Sequence, residues 1–228
     1  MIDGKKALAV IPARGGSKRL PRKNVVDFES RPIIAYTIEA ALDAGIFERV
    51  LVSTEDAEIA ETARRFGAET TWRPEALAGD NVGVAAVCLD LLDREAAAGR
   101  AYGVMCGLYA TAPLRNAADI RAVAELIGSE CDFAMAVSEY ENPPLHALRR
   151  SPGGNLVPMW PEWVNVRSQD APELFVDNGS TYVVSVEAFR REKSFYGPKL
   201  RGHVMPRERS VDIDTAADLD LAKYYASK

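Results

Sequence analysis

The chain has 228 residues, enough for one α/β domain with a sizeable core and a small excursion. Its 28 basic residues against 33 acidic ones leave a formal net charge of −5, which argues against a general nucleic-acid binder, whose binding face is basic. Cys88, Cys106 and Cys131 lie far apart without metal-ligand spacing; they read as buried small hydrophobes of a reducing compartment, with no disulfide framework. No apolar run reaches the length of a membrane span, and the apolar stretch after Lys5-Lys6 is interrupted by Pro12 and closed by Arg14, too soon for an export signal. A cytoplasmic protein with neither nucleic-acid nor membrane partners is expected.

Ala7-Leu8-Ala9-Val10-Ile11 reads as a buried parallel strand. The next ten residues, 13–22, run Ala-Arg-Gly-Gly-Ser-Lys-Arg-Leu-Pro-Arg and lead into Lys23-Asn24. They hang Arg14, Lys18, Arg19 and Arg22 on a loop that carries Gly15 and Gly16. Glycine permits backbone conformations in which consecutive amides converge on one anion, and Arg and Lys add charge-assisted hydrogen bonds. A triphosphate needs both kinds of donor, and open α/β sheets bind ligands at this end of a strand. The spacing is neither Walker A nor Gly-x-Gly-x-x-Gly. Taken alone, the loop also fits a solvated basic turn.

Residues 32–44 place Ile33, Ile34, Tyr36, Thr37, Ala40, Ala41 and Ala44 at helical spacing, with Gly45 as terminator. A strand over 49–54, a polar helix over 55–66 closed by Gly67 and a short strand over 68–72 follow. This βαβ series predicts a parallel sheet with right-handed crossovers. A long helix is expected over 82–98 and a central strand over 102–108, where Gly103 and Gly107 leave room for something to approach the backbone. Tyr109-Ala110-Thr111-Ala112-Pro113-Leu114-Arg115 comes next. It is either a turn of small residues lining a nucleotide or sugar pocket, or an ordinary strand-to-helix turn capped by Thr111 or Asn116. A helix over 117–127 and a strand over 133–137 complete this half.

Composition then shifts. Residues 139–175 carry Pro143, Pro144, Pro152, Pro158, Pro161 and Pro172 with Gly153-Gly154, so short extended pieces are expected in an excursion suited to packing on another subunit. Within it, Arg167 can grip a carboxylate bidentately or stand as an exposed loop arginine. Regular structure returns with a strand over 180–186, a helix over 186–191, a strand ending at Asp212 and a closing helix over 215–225. If extended, Val211-Asp212-Ile213-Asp214 sets Asp212 and Asp214 on one face. Magnesium is held by one or two carboxylates together with substrate phosphates, so this pair and the basic loop predict each other. Thr215-Ala216-Ala217-Asp218 has capping-box spacing, which makes Asp218 structural and leaves Asp214 open to a plain role before the helix. His146 and His203 sit in no motif and read as structural.

These residues together resemble the cytidylyltransferases that activate nonulosonic (sialic-type) acids, the CMP-sugar synthetases, over nearly the whole chain. The likeness is carried by Ile11-Pro12-Ala13-Arg14-Gly15-Gly16-Ser17-Lys18 with Lys23-Asn24, Val52-Ser53-Thr54, and Arg73-Pro74 with Leu77-Ala78-Gly79-Asp80. Thr111-Ala112-Pro113-Leu114-Arg115, Arg167-Ser168-Gln169-Asp170 and Asp212-Ile213-Asp214 complete it. The N-acetylneuraminate enzymes commonly carry Gln-Pro-Thr-Ser-Pro-Leu-Arg, so Tyr109 stands where a sugar-contacting Gln is usual. Tyr-Ala-Thr-Ala-Pro with Arg-Ser-Gln-Asp is similar to the pseudaminic acid branch. That branch usually continues with a His-Asp-Ala-Gly-Gln-Phe-Tyr-like stretch, where this chain reads Val176-Asp177-Asn178-Gly179-Ser180-Thr181-Tyr182. Legionaminate and neuraminate therefore stay open beside pseudaminate.

The resemblance implies a Rossmann-like α/β nucleotidyltransferase fold with a mostly parallel central sheet, spanning 1–228 as one domain, and a homodimer built through 139–175. It implies CTP and a nine-carbon 2-keto sugar acid as substrates and Mg²⁺ as cofactor. Arg14 and Lys23 would contact the triphosphate, Ser17 and Asn24 would lie in the nucleotide site, and Arg73 and Asp80 fall in a nucleotide-side loop. Tyr109, Thr111, Arg167 and Gln169 belong to the substrate set, Arg167 through the dimer, and Asp212 and Asp214 would hold the metal. Two other readings are a sugar-1-phosphate nucleotidyltransferase, told apart by nucleotide preference, and a noncatalytic nucleotide-binding protein, told apart by magnesium-dependent pyrophosphate release.

Overall fold

A computed structural model of the chain describes residues 1–142 and 144–228; Pro143 lies outside it. The elements in chain order are β1 (Ala7–Pro12), the small hairpin β2 (Asp27–Phe28) and β3 (Arg31–Pro32), α1 (Ile33–Ala44), β4 (Arg49–Thr54), α2 (Ala57–Arg65) and β5 (Glu69–Trp72). There follow α3 (Val84–Ala97), β6 (Val104–Leu108), α4 (Ala117–Ala124), β7 (Phe133–Glu139) and the hairpin β8 (Leu148–Arg150) and β9 (Leu156–Pro158). The chain closes with β10 (Phe175–Ser185), α5 (Val186–Glu192), β11 (Leu200–Val204) and α6 (Ala216–Ala226).

Seven strands form one sheet in the order β11-β7-β10-β6-β1-β4-β5, with β10 antiparallel to both its neighbours and the other pairs parallel. Alternation along β1 shows why both faces are covered. Ala7, Ala9 and Ile11 pack into one apolar cluster with Ile34 and Ile38 of α1, Ile59 of α2 and Ile120 of α4. Leu8 and Val10 pack into the other with Cys88 and Leu91 of α3 and Phe189 of α5. A strand buried on both sides is a continuous apolar run, as β1 is. All three cysteines are buried.

Asn116 and Asp119 form a capping box at the start of α4, as Thr215 and Asp218 do at α6. Thus Asn116, not Thr111, caps the helix after the 109–115 turn. Two expectations need correction. Residues 211–214 belong to no strand: the place beside β7 is taken by β11, and Ile213 gives one backbone bond, its N–H donating to the Thr111 carbonyl at 2.9 Å. In addition β10 begins at Phe175, not 180: its register with β7 shifts between Asp177 and Tyr182, so the bulge around Asn178-Gly179 lies inside the strand.

Candidate functional site

At the carboxyl ends of β1, β5 and β6 lies a cleft of about 500 Å³. Nine of the expected residues line it: Arg14, Ser17, Lys23, Asn24, Arg73, Asp80, Tyr109, Thr111 and Asp214. Lys18 and Arg19 join them. The cations are matched by two carboxylates. Asp80 pairs with Arg14 at 2.6 Å and with Lys18, whose ammonium, with the Arg14 guanidinium, holds the Asp80 carboxyl below its usual range. Asp214 pairs with Lys23 and Arg19, both at 2.7 Å. Asn24, nearly buried, donates its amide to the Arg14 carbonyl at 2.8 Å and so fixes the loop from beneath. Arg73 is 4% exposed and donates to the Ser53 carbonyl at 2.7 Å; burial lowers its pKa.

The loop departs from its reading in two ways. The Gly15 N–H does not face the cleft's anions but donates to Glu55 Oε1 at 2.7 Å, and neither Gly15 nor Gly16 has a positive φ. Glycine is required at 15 by close approach: a Cβ there would fall 2.5 Å from Asp56 Oδ2. Nor does Arg22 line the cleft. Its guanidinium lies on Asp56 and Glu58 at the start of α2, and it takes the left-handed conformation itself, at φ 56°. The side chains of Arg14, Lys18, Arg19 and Lys23 bring positive charge to the cleft, while the Gly15 amide is taken by Glu55.

Asp212 stands just behind the wall of the cleft. Its Oδ1 accepts from the Thr111 hydroxyl at 2.5 Å, and burial, with a contribution from the Asp214 charge, raises its pKa. Gly179, at φ +68°, backs onto the same carboxylate, where a Cβ would lie 2.8 Å from Oδ2. Among the described residues no three His, Cys, Asp or Glu side chains are grouped to hold a metal ion. Two carboxylates completed by phosphate oxygens are nonetheless the donor set magnesium takes, and a buried carboxylate gains from a nearby dication. A phosphate drawing Lys23 and Arg19 to itself would release Asp214 for such an ion. The residues therefore fit Mg²⁺ as a partner of bound nucleotide.

Tyr109 separates this cleft from a second cavity, of about 280 Å³, that sequence reasoning did not find. Its walls are Tyr109, Tyr182, Phe195 and Tyr196, with Asp177 and Lys193 as its charged members. Tyr109 and Tyr182 rings lie 5.3 Å apart and Tyr182 and Phe195 rings 4.9 Å apart. Asp177 accepts from the Tyr182 hydroxyl at 2.9 Å and from the Tyr196 hydroxyl at 2.6 Å. Burial raises the pKa of Tyr109, so its phenol stays neutral. Arg167 and Gln169 line neither cavity; both are exposed in the excursion, beside Trp160 and Val164, which are exposed apolar residues.

A family model described as cytidylyltransferase matches residues 8–142. Over 220 residues the chain is 36% identical to a pseudaminic acid cytidylyltransferase of Campylobacter jejuni, covering 96% of this chain and 95% of that one. It is 33% identical over 221 residues to a CMP-N,N'-diacetyllegionaminic acid synthase of Legionella pneumophila, with coverage of 96% and 95%. The solved structure of a CMP:2-keto-3-deoxy-manno-octonic acid synthetase complexed with CTP superposes with a TM-score of 0.70 over 97% of this chain and 98% of that one; at 17% identity it shows a common fold. The cleft at the end of β1 is thus set in a cytidylyltransferase scaffold, and the chain belongs to the cytidylyltransferase family, among the CMP-sugar synthetases of sialic-type acids.

Proposed function

We propose that the protein transfers the CMP group of CTP to the anomeric hydroxyl of a nonulosonic acid, pseudaminic acid first, with legionaminic and N-acetylneuraminic acids as alternatives. The observation that carries this reading is the convergence of Arg14, Lys18, Arg19 and Lys23 on one cleft whose far wall, Tyr109, opens onto a second, aromatic cavity. A triphosphate placed in the cleft exchanges the Asp80 and Asp214 carboxylates for its own oxygens as partners of these cations. Arg73 and Asp80 border the nucleotide, and Ser17 and Asn24 shape the loop that receives it. The sugar acid occupies the second cavity, with Tyr109 and Thr111 at the junction where its anomeric hydroxyl meets the α-phosphorus.

In the reaction the anomeric oxygen forms a bond to the α-phosphorus, the bond from that phosphorus to the bridging oxygen breaks, and pyrophosphate carries away the electron pair. The hydroxyl proton passes to solvent. Chemistry of this kind is mostly positioning and charge stabilisation. Arg14 and Lys23 offset charge on the departing pyrophosphate. Asp212 and Asp214 would hold Mg²⁺, which when bound neutralises phosphate charge and lowers the pKa of the attacking hydroxyl. In the same reading 139–175 packs on a second copy, carries Arg167 and Gln169 into the partner's sugar site, and the enzyme works in the cytoplasm. The test is pyrophosphate release from CTP and Mg²⁺ across pseudaminic, legionaminic and N-acetylneuraminic acids, with Asp214→Ala as control. Release with one sugar, lost in the control, is expected; silence across the panel from a folded, CTP-binding protein overturns the choice of sugar class.

A further inference from the structure

Arg115, at the end of the 109–115 turn, is 2% exposed, and burial lowers its guanidinium pKa to about 10. Its Nη1 donates to the Ser180 carbonyl oxygen at 2.9 Å, while Nε and Nη2 have no partner. Holding a guanidinium out of water with two donor directions unmet is costly, and exchanging buried charged groups for apolar residues of similar volume is often neutral or stabilising. Packing alone gives no reason for an arginine here.

Its single bond does. Ser180 lies in the bulge of β10, between Asp177 and Tyr182, where the register with β7 shifts. The same carbonyl accepts the Tyr109 N–H at 3.2 Å, so both ends of the 109–115 turn are fastened to the bulge. Asp212 sits between turn and bulge: Thr111 holds Oδ1 from one side, and Gly179, the neighbour of Ser180, lies against the carboxylate from the other. We infer that Arg115 is a positioning residue, clamping the turn to the Ser180 carbonyl and thereby fixing the slot that aims the Asp212 carboxylate. This rests on the reading of Asp212 as a holder of Mg²⁺ beside bound CTP.

Arg115→Met keeps bulk and removes the donor. Its melting temperature is expected at or above that of the wild type. The Mg²⁺ concentration giving half of the CTP-dependent thermal shift should rise about tenfold or more, and kcat should fall about 10- to 100-fold with KM for CTP within about threefold, the usual range for a partner behind a metal ligand. Arg115→Lys, which retains a donor for the carbonyl, should recover most of the Mg²⁺ response. Gly179→Ala, pressing on Asp212 from the other wall, should move the Mg²⁺ midpoint in the same direction. A folded Arg115→Met protein with the wild-type Mg²⁺ midpoint overturns the inference; so does one that fails to fold, since the arginine then serves the core. A wild-type protein whose melting with CTP ignores Mg²⁺ overturns the metal reading beneath it, a failure visible before any variant is made.

Discussion

On the Arg14 side of Tyr109 the walls are cations neutralised by Asp80 and Asp214, whereas on the Tyr182 side they are mainly aromatic rings, with one carboxylate, Asp177, and one ammonium, Lys193. The first cavity suits any ligand rich in negative charge; the second selects by shape and by a few hydrogen bonds. In a transfer between a fixed nucleotide and a variable sugar acid, these are the two demands, and the boundary residue Tyr109 belongs to both. The difference teaches that variants on the two sides should separate cleanly, one set acting on all sugars alike and the other re-ranking them.

The largest effect is expected from Asp214→Ala. Loss of about 3 to 4 kcal/mol of transition-state stabilisation, by analogy with a lost oxyanion donor, is a fall of about 10² to 10³ in kcat/KM. It should be the same for every sugar accepted, with the melting temperature little changed; a variant that unfolds would break the assignment. Lys23→Ala comes next, removing a charge-assisted bond of about 1.5 to 3 kcal/mol, read as a fall in kcat/KM for CTP that is again blind to the sugar.

A control outside both cavities is Glu95, which accepts from Arg100 at 2.7 and 2.8 Å, from Tyr102 at 3.1 Å and from Arg49. The Arg100 and Arg49 guanidiniums depress its pKa from 4.5 to about 2. A depressed carboxyl stabilises the fold above its unfolded pKa, and that stability is lost as pH falls through the folded value. Glu95→Gln should therefore cost about 1 to 3 kcal/mol at neutral pH and flatten the loss of stability between pH 4.5 and 2, measured by chemical denaturation at each pH, with sugar ranking untouched. The smallest effect is expected from Tyr196→Phe, which frees Asp177 of one hydrogen bond worth about 1 kcal/mol. It should change KM for the sugar severalfold and leave KM for CTP alone; an equal change in both would erase the distinction between the cavities.

The same contrast governs what could be read from sequence. The charge of the basic cavity is largely local, since one loop after one strand carries most of its cations, and spacing alone exposes such a loop. The aromatic cavity draws Tyr109, Asp177, Tyr182, Phe195 and Tyr196 from separate turns and strands, and only tertiary structure brings them together. In the fold, apolar runs and helical periodicity located β1, β4, β6, β7 and all six helices to within a few residues. Residues 211–214 mislead because alternation of apolar and acidic residues reports burial, not a ladder: Val211 and Ile213 pack with Phe28, Ile33 and Ala222 without pairing to any strand among the described residues. β11 escaped because its residues, Leu200-Arg201-Gly202-His203-Val204, are mostly exposed at the sheet edge and carry little apolar signal. The constraint on Gly15 is hidden for a related reason, since a close approach by Asp56 leaves no trace in local sequence.

The reversed direction of β10 has a consequence for how the protein can change. The chain leaves the sheet at the end of β7 and re-enters at the start of β10, where Phe175 pairs with Glu139, so both ends of the intervening segment are pinned side by side at the sheet margin. A segment anchored in this way acts as a cassette. Because the entropy of closing a loop grows only about 0.6 kcal/mol per doubling of length, it can be lengthened, shortened or exchanged with little effect on the sheet that carries the basic cleft.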